Sequence, residues 1–262
     1  MTAHAAVLGR REVHIWAADL NVSLDRASQL SRLLATDERS RACRFLDARR
    51  RGRWEASRGI LRELLAGYLD EPPHRISITT GHAGKPRLDR HGWLKFSVSH
   101  ADDRALFAFA RDREVGVDIE RIAPARASRA VVTHFFSSRE RCAMAKLSPE
   151  QRTRAFFTCW SRKEALVKAT GEGMSAALES IDVYPTSTSI AGWYVEDVPV
   201  GDLHAAAVAL AGSAVPVSGL FAALPSGEGP TARAGAEEGV VEPAGPQLER
   251  EADVPGGDGF SA

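Results

Sequence analysis

The alternation of apolar and polar residues along the chain predicts a mixed fold. An alternating run predicts a strand at residues 12–18, and a helical pattern then extends from Thr36 to Leu69, where Pro72 and Pro73 end it. Further strand patterns, separated by turn residues, lie at residues 75–79, 94–99, 105–111 and 115–120.

The second half of the chain repeats this order. Ser137 and Glu140 have the spacing of a capping box and predict a helix to about Lys146. A longer helix is predicted from Ser148 to Ala169. Strand patterns follow at residues 180–184, 192–198 and 204–210. This order permits an α+β fold of two similar subdomains, residues 1–112 and 113–224, although no sequence repeat is visible to support a duplication.

The end of the chain differs in composition. Residues 225–262 hold 13 Gly or Pro in 38 positions, eight acidic residues and two Arg, which predicts a disordered tail. This tail carries a charge of −6, so the neutral 262-residue chain leaves +6 on residues 1–224. A basic folded unit favours an anionic ligand or partner, although a soluble surface without a target has the same charge.

Cysteine usage and hydropathy bear on location. Cys43, Cys142 and Cys159 are far apart and have no metal-site spacing, and no apolar run is long enough for a membrane span. We expect a cytoplasmic protein that binds no membrane.

The strand at residues 115–120 carries two acids on one face. Side chains two apart on a strand point the same way, so Asp118 and Glu120 lie opposite Val115, Val117 and Ile119. Paired carboxylates suit Mg²⁺. A solvated acidic face would give the same pattern.

The long second helix carries a second candidate set. Trp160, Glu164 and Lys168 recur every four residues and share a helix face. Glu164 could be a third carboxylate for a cation and Lys168 a donor to phosphate. The alternative is a surface ion pair beside a core tryptophan.

Two basic regions complete the candidates. Lys85 in a Gly-Lys-Pro loop, with Ser99 and His100 at the end of a strand, could bind phosphate, although such a loop can be only a turn. Nine arginines between Arg39 and Arg62 could hold a nucleotide's phosphates, form an RNA-binding patch or face solvent.

The ordered set GKP, FSVSH, GVDIE and WSRKEALVKATGEG resembles the 4'-phosphopantetheinyl transferases of the surfactin-synthetase-activating type. The resemblance extends from about Thr36 to Gly173. Ser97 stands where Asn is common in the family, and Ala101 where a second Ser often follows.

The resemblance implies a monomer whose two α+β subdomains are related by pseudo-twofold symmetry and bind coenzyme A between them. It implies transfer of phosphopantetheine from coenzyme A to a serine of apo acyl or peptidyl carrier proteins, with Mg²⁺ as cofactor. Adenosine 3',5'-bisphosphate is released, and no nucleic acid is bound.

The resemblance also assigns roles to residues. It implies Mg²⁺ ligands at Asp118, Glu120 and Glu164. It implies pyrophosphate contacts at Lys163 and Lys168, and coenzyme contacts at Arg41, Arg53, Lys85, Ser99 and His100. Glu164, as a base, and Lys168 are the candidate catalytic residues. Two alternatives stay open, namely an Mg²⁺-dependent phosphotransferase that uses another nucleotide and a noncatalytic RNA-binding protein.

Overall fold

Six helices and ten strands form the part of the chain that the computed structural model describes, which is residues 8–81, 84–173, 178–185, 188–190, 192–214 and 217–220. The tail expected at residues 225–262 lies outside these ranges. The helices are α1 (Leu24–Arg32), α2 (Thr36–Ala42), α3 (Ala48–Leu69), α4 (Arg129–Phe135), α5 (Ser138–Ala145) and α6 (Pro149–Thr170). None of the described helices has the length and apolar character needed to cross a bilayer.

The ten strands form two four-stranded sheets and one hairpin. They are β1 (Val13–Asp19), β2 (Ile78–Thr80), β3 (Pro86–Leu88), β4 (Leu94–Ala101), β5 (Arg104–Arg111), β6 (Val115–Arg121), β7 (Thr188–Ile190), β8 (Trp193–Asp197), β9 (His204–Ala211) and β10 (Val217–Leu220). The first sheet has the order β10-β1-β5-β4, the second has the order β6-β9-β8-β7, and β2 pairs with β3.

Three apolar cores fix the order of the layers. One core lies between α3 and the first sheet, with Ile60 and Leu64 of the helix near Phe107 and Phe109 of β5. A second core lies between the two sheets, and a third lies between α6 and the second sheet. The layers therefore run helix, sheet, sheet, helix, which confirms the α+β class.

The two halves match in their longest elements. Helices α3 and α6 each have 22 residues, strands β1 and β6 each have seven, and strands β5 and β9 each have eight. This internal similarity agrees with the expected pair of related subdomains.

Local sequence explains the boundaries of α6. The Ser148 hydroxyl accepts from the Gln151 backbone N–H, Pro149 occupies the first turn, and Gly171 ends the helix with φ of 69°. A positive φ at this place suits glycine because it has no Cβ. The predicted helix is confirmed, as is the capping box of Ser137 and Glu140 that begins α5.

The structure differs from the predicted elements in several places. Helices α1 and α4 and strands β3 and β7 were not predicted, and the strand expected at residues 75–79 begins only at Ile78. The first helical pattern is broken into α2 and α3, because Asp47 accepts from the Arg50 N–H and starts a new helix. Residues 181–184 are not a strand, since their backbone groups pair with side chains of α5 and α6 instead of a neighbouring strand. Finally, β10 returns to the first sheet and lies parallel to β1, although its residues were expected in the second subdomain.

Candidate active site

Strand β6 divides its side chains between two layers. Val115, Val117 and Ile119 belong to the core between the sheets, as predicted. Asp118 is only 3% exposed, so its face of the strand is covered and not solvated. The covering element is α6, which packs on β6 and β9.

Gly116 permits this close packing. A Cβ at this position would lie 2.0 Å from the Ala165 carbonyl oxygen and 2.4 Å from the Ala169 nitrogen. Neither backbone atom can move aside without shifting α6 as a whole. The glycine two residues before Asp118 therefore brings the helix against the acidic face of the strand.

The predicted face of α6 meets this acidic face. The indole Nε1 of Trp160 donates to Glu120 Oε1 at 3.2 Å, and Lys168 Nζ donates to Asp118 Oδ1 at 2.7 Å. Glu164 lies between these two contacts along the helix and interacts electrostatically with Asp118. The structure thus brings together residues from distant parts of the chain.

Ser99 adds a contribution from the first sheet. Its hydroxyl donates to Asp118 Oδ1 at 2.9 Å and accepts from Lys168 Nζ at 2.8 Å. It also accepts from the Ile119 backbone N–H at 3.3 Å, while Ser97 accepts from the Val117 N–H at 3.1 Å. The site therefore lies where β4 of one sheet meets β6 of the other.

Burial and mutual repulsion perturb the acids. Burial raises the pKa of Glu164 to about 7, and the nearby charge of Asp118 adds to the rise, whereas Lys168 opposes it. Burial also raises the pKa of Glu120 to about 7, again with a contribution from Asp118. Two neighbouring carboxyl groups with raised pKa values are typical of a functional site.

His100 lies beside the same charges. Burial, with the positive charge of Lys168, lowers its pKa to about 4, although Asp118 acts in the opposite direction. The imidazole is therefore neutral near pH 7. A neutral imidazole still offers one N–H donor to a ligand.

Comparisons with known proteins decide the family. A family model described as the 4'-phosphopantetheinyl transferase superfamily matches residues 114–198, which include β6 and α6. The 4'-phosphopantetheinyl transferase HetI of Nostoc sp. (strain PCC 7120) is 37% identical over 210 residues, covering 77% of this chain and 88% of that protein. The chain belongs to the 4'-phosphopantetheinyl transferase superfamily.

Other members of the superfamily are similar over a shorter stretch. The 4'-phosphopantetheinyl transferase AcpT of Escherichia coli (strain K12) is 33% identical over 150 residues, which are 57% of this chain and 73% of that protein. A 4'-phosphopantetheinyl transferase of Bacillus subtilis is 26% identical over 165 residues, which are 63% of this chain and 72% of that protein.

The carboxylates of Asp118, Glu120 and Glu164 are the kind of oxygen ligand that a divalent cation binds. Within the described ranges, no three His, Cys, Asp or Glu side chains are gathered tightly enough to hold a metal ion as they stand. Asp118 Oδ2 is nevertheless buried without a hydrogen-bond partner among these residues. An unpartnered buried oxygen beside two acids of raised pKa fits a cation with oxygen ligands.

Lys163 does not lie where the transferase resemblance implied. Its side chain is fully buried, and its ammonium group donates to the carbonyl oxygens of Leu178 at 2.7 Å and Ile181 at 2.6 Å. Glu140 lies 3.0 Å away as its ion-pair partner. The expected pyrophosphate contact is therefore wrong for this conformation, because the charged group points into the protein and its donors are occupied.

Lys85, which directly precedes β3, connects this part of the chain to the end of α6. Its Nζ donates to Glu114 Oε2 at 2.6 Å and to the Ala169 carbonyl oxygen at 2.7 Å. Burial lowers the pKa of Lys85, while Glu114 opposes that change. Lys85 thus holds the carboxyl end of the helix that carries Lys168.

The arginines expected at the coenzyme occupy two different places. Arg53 donates to Asn21 Oδ1 at 3.4 Å and interacts with Asp102, which follows β4. The Arg41 guanidinium lies 5.7 Å from the centre of the Trp54 ring. Arg53 is therefore close to the end of β4, whereas Arg41 lies against Trp54 of α3.

Two contributions of the site were missed at the level of sequence, and the role of a third residue was left open. Trp160 was placed on the candidate face, with a core tryptophan as the alternative, and its indole N–H donates to Glu120. Ser97 and Glu114 also support the site, through the Val117 N–H and Lys85 respectively. The alternation of Ser97 and Ser99 on β4 was the available signal, because both hydroxyls face the same way.

Proposed function

We propose that this transferase moves the 4'-phosphopantetheine group of coenzyme A to a serine hydroxyl of apo acyl or peptidyl carrier proteins. Adenosine 3',5'-bisphosphate is the second product. The observation that carries the proposal is the contact of Ser99 and Lys168 with one oxygen of buried Asp118, where the two sheets meet. Within the superfamily, we propose that the chain is of the surfactin-synthetase-activating type.

The reaction places demands on charge. Attack on the β-phosphorus of a pyrophosphate builds negative charge on its non-bridging and leaving oxygens. Asp118, Glu120 and Glu164 would hold Mg²⁺, which supplies positive charge next to those oxygens when bound. The unpartnered Oδ2 of Asp118 supports this assignment.

Lys168 has the position needed to donate to a phosphate oxygen. Its Nζ reaches both Asp118 and Ser99, and its side chain keeps 32% of its exposure. An ammonium group has three N–H donors, so it can exchange one of these partners for a phosphate oxygen. Removing the Lys168 side chain would therefore reduce the stabilisation of the transition state more than it reduces the stability of the fold.

Glu164 is the candidate base for the attacking serine. A carboxyl group whose pKa lies near the working pH exchanges protons efficiently. Burial beside Asp118 raises the pKa of Glu164 to about 7 while no cation is bound, and a bound cation would lower it, so Glu164 can act as base only through an oxygen that the cation leaves free. The proton of the carrier serine would pass to a Glu164 oxygen.

The remaining residues would bind the coenzyme. Ser99, the neutral His100 and Lys85 lie along the line between β4 and the end of α6, and Arg53 lies near the end of β4. Arg41 is proposed for the same role on the first subdomain. Because one chain supplies both sides of the site, we propose that the enzyme works as a monomer.

A mass assay tests this function. The purified chain is incubated with coenzyme A, Mg²⁺ and a panel of apo carrier proteins, and intact-protein mass spectrometry follows each carrier. We expect one carrier at least to gain the mass of one phosphopantetheine group, only when coenzyme A is present. No gain with any carrier, or an equal gain from another nucleotide, would contradict the proposal.

The same preparation tests the RNA-binding alternative. Arg58 and Arg62, two of the nine arginines, turn inward to Glu38, which leaves a smaller basic surface than the sequence suggested. We expect RNA to leave transfer to the carrier unchanged at moderate salt. Tight, salt-sensitive RNA binding without transfer would favour the alternative.

A further inference from the structure

A buried ion pair lies directly behind the site. Glu140 and Lys163 are both fully buried, 3.0 Å apart, and they join α5 to α6. Glu140 also accepts from the Ser137 and Val183 backbone N–H groups, each at 2.8 Å. We name Glu140, Lys163 and their backbone partners the rear clamp.

The first half of the chain contains a counterpart. Glu38 of α2 pairs with Arg62 of α3 at 2.6 Å and accepts from the Ala35 backbone N–H at 2.8 Å. Arg62 in turn donates to the carbonyl oxygens of Pro73 at 2.7 Å and Ile76 at 3.1 Å. We name this set the front clamp.

The two clamps occupy equivalent positions. Each acid is the third residue of a short helix, and each cation is the fifteenth residue of a 22-residue helix. Each cation binds two carbonyl oxygens of the segment that follows its long helix. The same device therefore fixes the same three elements in both halves.

Only the rear clamp stands behind a cluster of acids. The fourth residue of β6 is Asp118, whereas the fourth residue of β1 is Trp16, whose indole donates to Tyr68 at 2.8 Å. The front clamp thus supports an aromatic cluster. Variants of the two clamps can therefore be compared: the rear clamp lies next to the proposed active site, whereas the front clamp does not.

We propose that Lys163 and Glu140 are positioning residues of the transferase, which set the rotation of α6 so that Glu164 and Lys168 face β6. This inference rests on the proposed function. Glu164 follows Lys163 directly, so a turn of the helix about its axis moves both side chains together. A buried charge must keep its partner, which ties the helix to one orientation.

The clamp acts on geometry and not on the binding of coenzyme. Misplacing reacting groups by about 1 Å can cost on the order of 10²-fold in rate. The loss should therefore appear in kcat, with little change in the KM for coenzyme A. A direct ligand of the pyrophosphate would instead be needed to bind the coenzyme.

The test compares Glu140→Gln with Glu38→Gln in the full chain, with Lys163→Arg as a third variant. Melting temperature, kcat and the KM for coenzyme A are measured for each. A readout independent of activity is the rate at which a thiol reagent labels buried Cys159, relative to exposed Cys43 and Cys142. Cys159 lies next to Glu140 and Lys163, and burial together with the charge of Glu140 raises the pKa of its thiol, so loss of that charge alone can speed labelling. Loosening of α6 is therefore read from Lys163→Arg, which keeps both charges of the pair.

We expect Glu140→Gln to lower kcat at least about tenfold and to change the KM for coenzyme A less than about twofold. The thiol reagent should label Cys159 faster in this variant than in the wild-type chain. Glu38→Gln should lose similar stability while keeping kcat and the Cys159 rate. Equal effects of both variants on kcat would overturn the proposal, as would a raised KM in Lys163→Arg with kcat unchanged.

Two other outcomes stay interpretable. If Glu140→Gln does not fold, Lys163→Arg decides, because the longer side chain must shift α6 and lower kcat at constant KM. If the wild-type chain transfers nothing, the proposed function fails. The Cys159 labelling of Lys163→Arg, compared with that of the wild-type chain, still tells whether the rear clamp holds α6.

Discussion

Ser99 and Asp118 form a 2.9 Å hydrogen bond across the boundary between the two sheets. The same hydroxyl accepts from Lys168 and from the Ile119 backbone N–H, so one serine serves both the site and the packing of β4 on β6. Ser97 serves the packing alone, through the Val117 N–H.

This difference predicts the effects of two alanine substitutions. Ser99→Ala and Ser97→Ala each leave a buried N–H without its acceptor, so each should cost about 1–3 kcal/mol of unfolding free energy. Only Ser99→Ala should also lower turnover, at least about tenfold, because Asp118 and Lys168 lose their shared partner. Chemical denaturation and carrier loading measure the two effects, and equal turnover in both variants would refute the distinction.

Gly116 predicts a large loss of stability. Gly116→Ala would put a methyl group 2.0 Å from the Ala165 carbonyl oxygen, and α6 would have to move off β6. We expect a loss of about 3 kcal/mol or more, or no folded protein. Gly52→Ala is the control, since nothing lies within 4 Å of that Cβ, and helix propensity should add about 0.5–1 kcal/mol.

Asp118→Asn tests the charge at the site. The amide keeps the size of the side chain and an oxygen acceptor for Lys168 and Ser99, so the fold should persist. Turnover should fall on the order of 10²-fold, because one negative charge of the proposed Mg²⁺ ligands is lost. Asp202→Asn, at an exposed position, is the surface control. Full activity of Asp118→Asn in excess Mg²⁺ would rule out the role of Asp118.

The net charge of the chain also predicts how the rate of association with a carrier protein depends on salt. Residues 1–224 carry +6, and an acidic partner would be drawn to them at low ionic strength. We expect kcat/KM for the carrier to fall several-fold as salt rises from about 50 to about 500 mM, where screening acts within a few ångströms. A rate independent of salt would count against steering.

The acidic residues 225–262 could compete with the carrier for the same surface. A chain ending at Leu224 should then be faster than the full chain at low salt, and the two rates should converge at high salt. The melting temperature of the shortened chain serves as its control. Equal rates at low salt would show that the tail does not compete.

Sequence reasoning worked where periodicity carries the information. Asp118, Glu120, Glu164 and Lys168 were placed by the two-residue repeat of a strand and the four-residue spacing of a helix, and the structure brings these two faces together. Both patterns are local, and each specifies which side chains share a face. Close packing at Gly116 then follows from the absence of a side chain.

The failures have a different cause. Lys163 sits in a motif rich in charged residues, and nothing local says that it points away from the site to Glu140, 3.0 Å away. The backbone at residues 181–184 is likewise fixed by side chains of α5 and α6, so its strand-like pattern was overruled. Contacts between distant segments determine the conformation at such positions, and the local pattern of apolar and polar residues does not reveal those contacts.

The position of β10 bears on how the chain is made. Strand β1 is synthesised before all the other described strands, and its parallel neighbour begins only at Val217. Throughout the synthesis of the second subdomain, one side of β1 would offer unpaired backbone groups to other nascent chains. The sheet that contains β1 is therefore completed only after all four strands of the second sheet have been made.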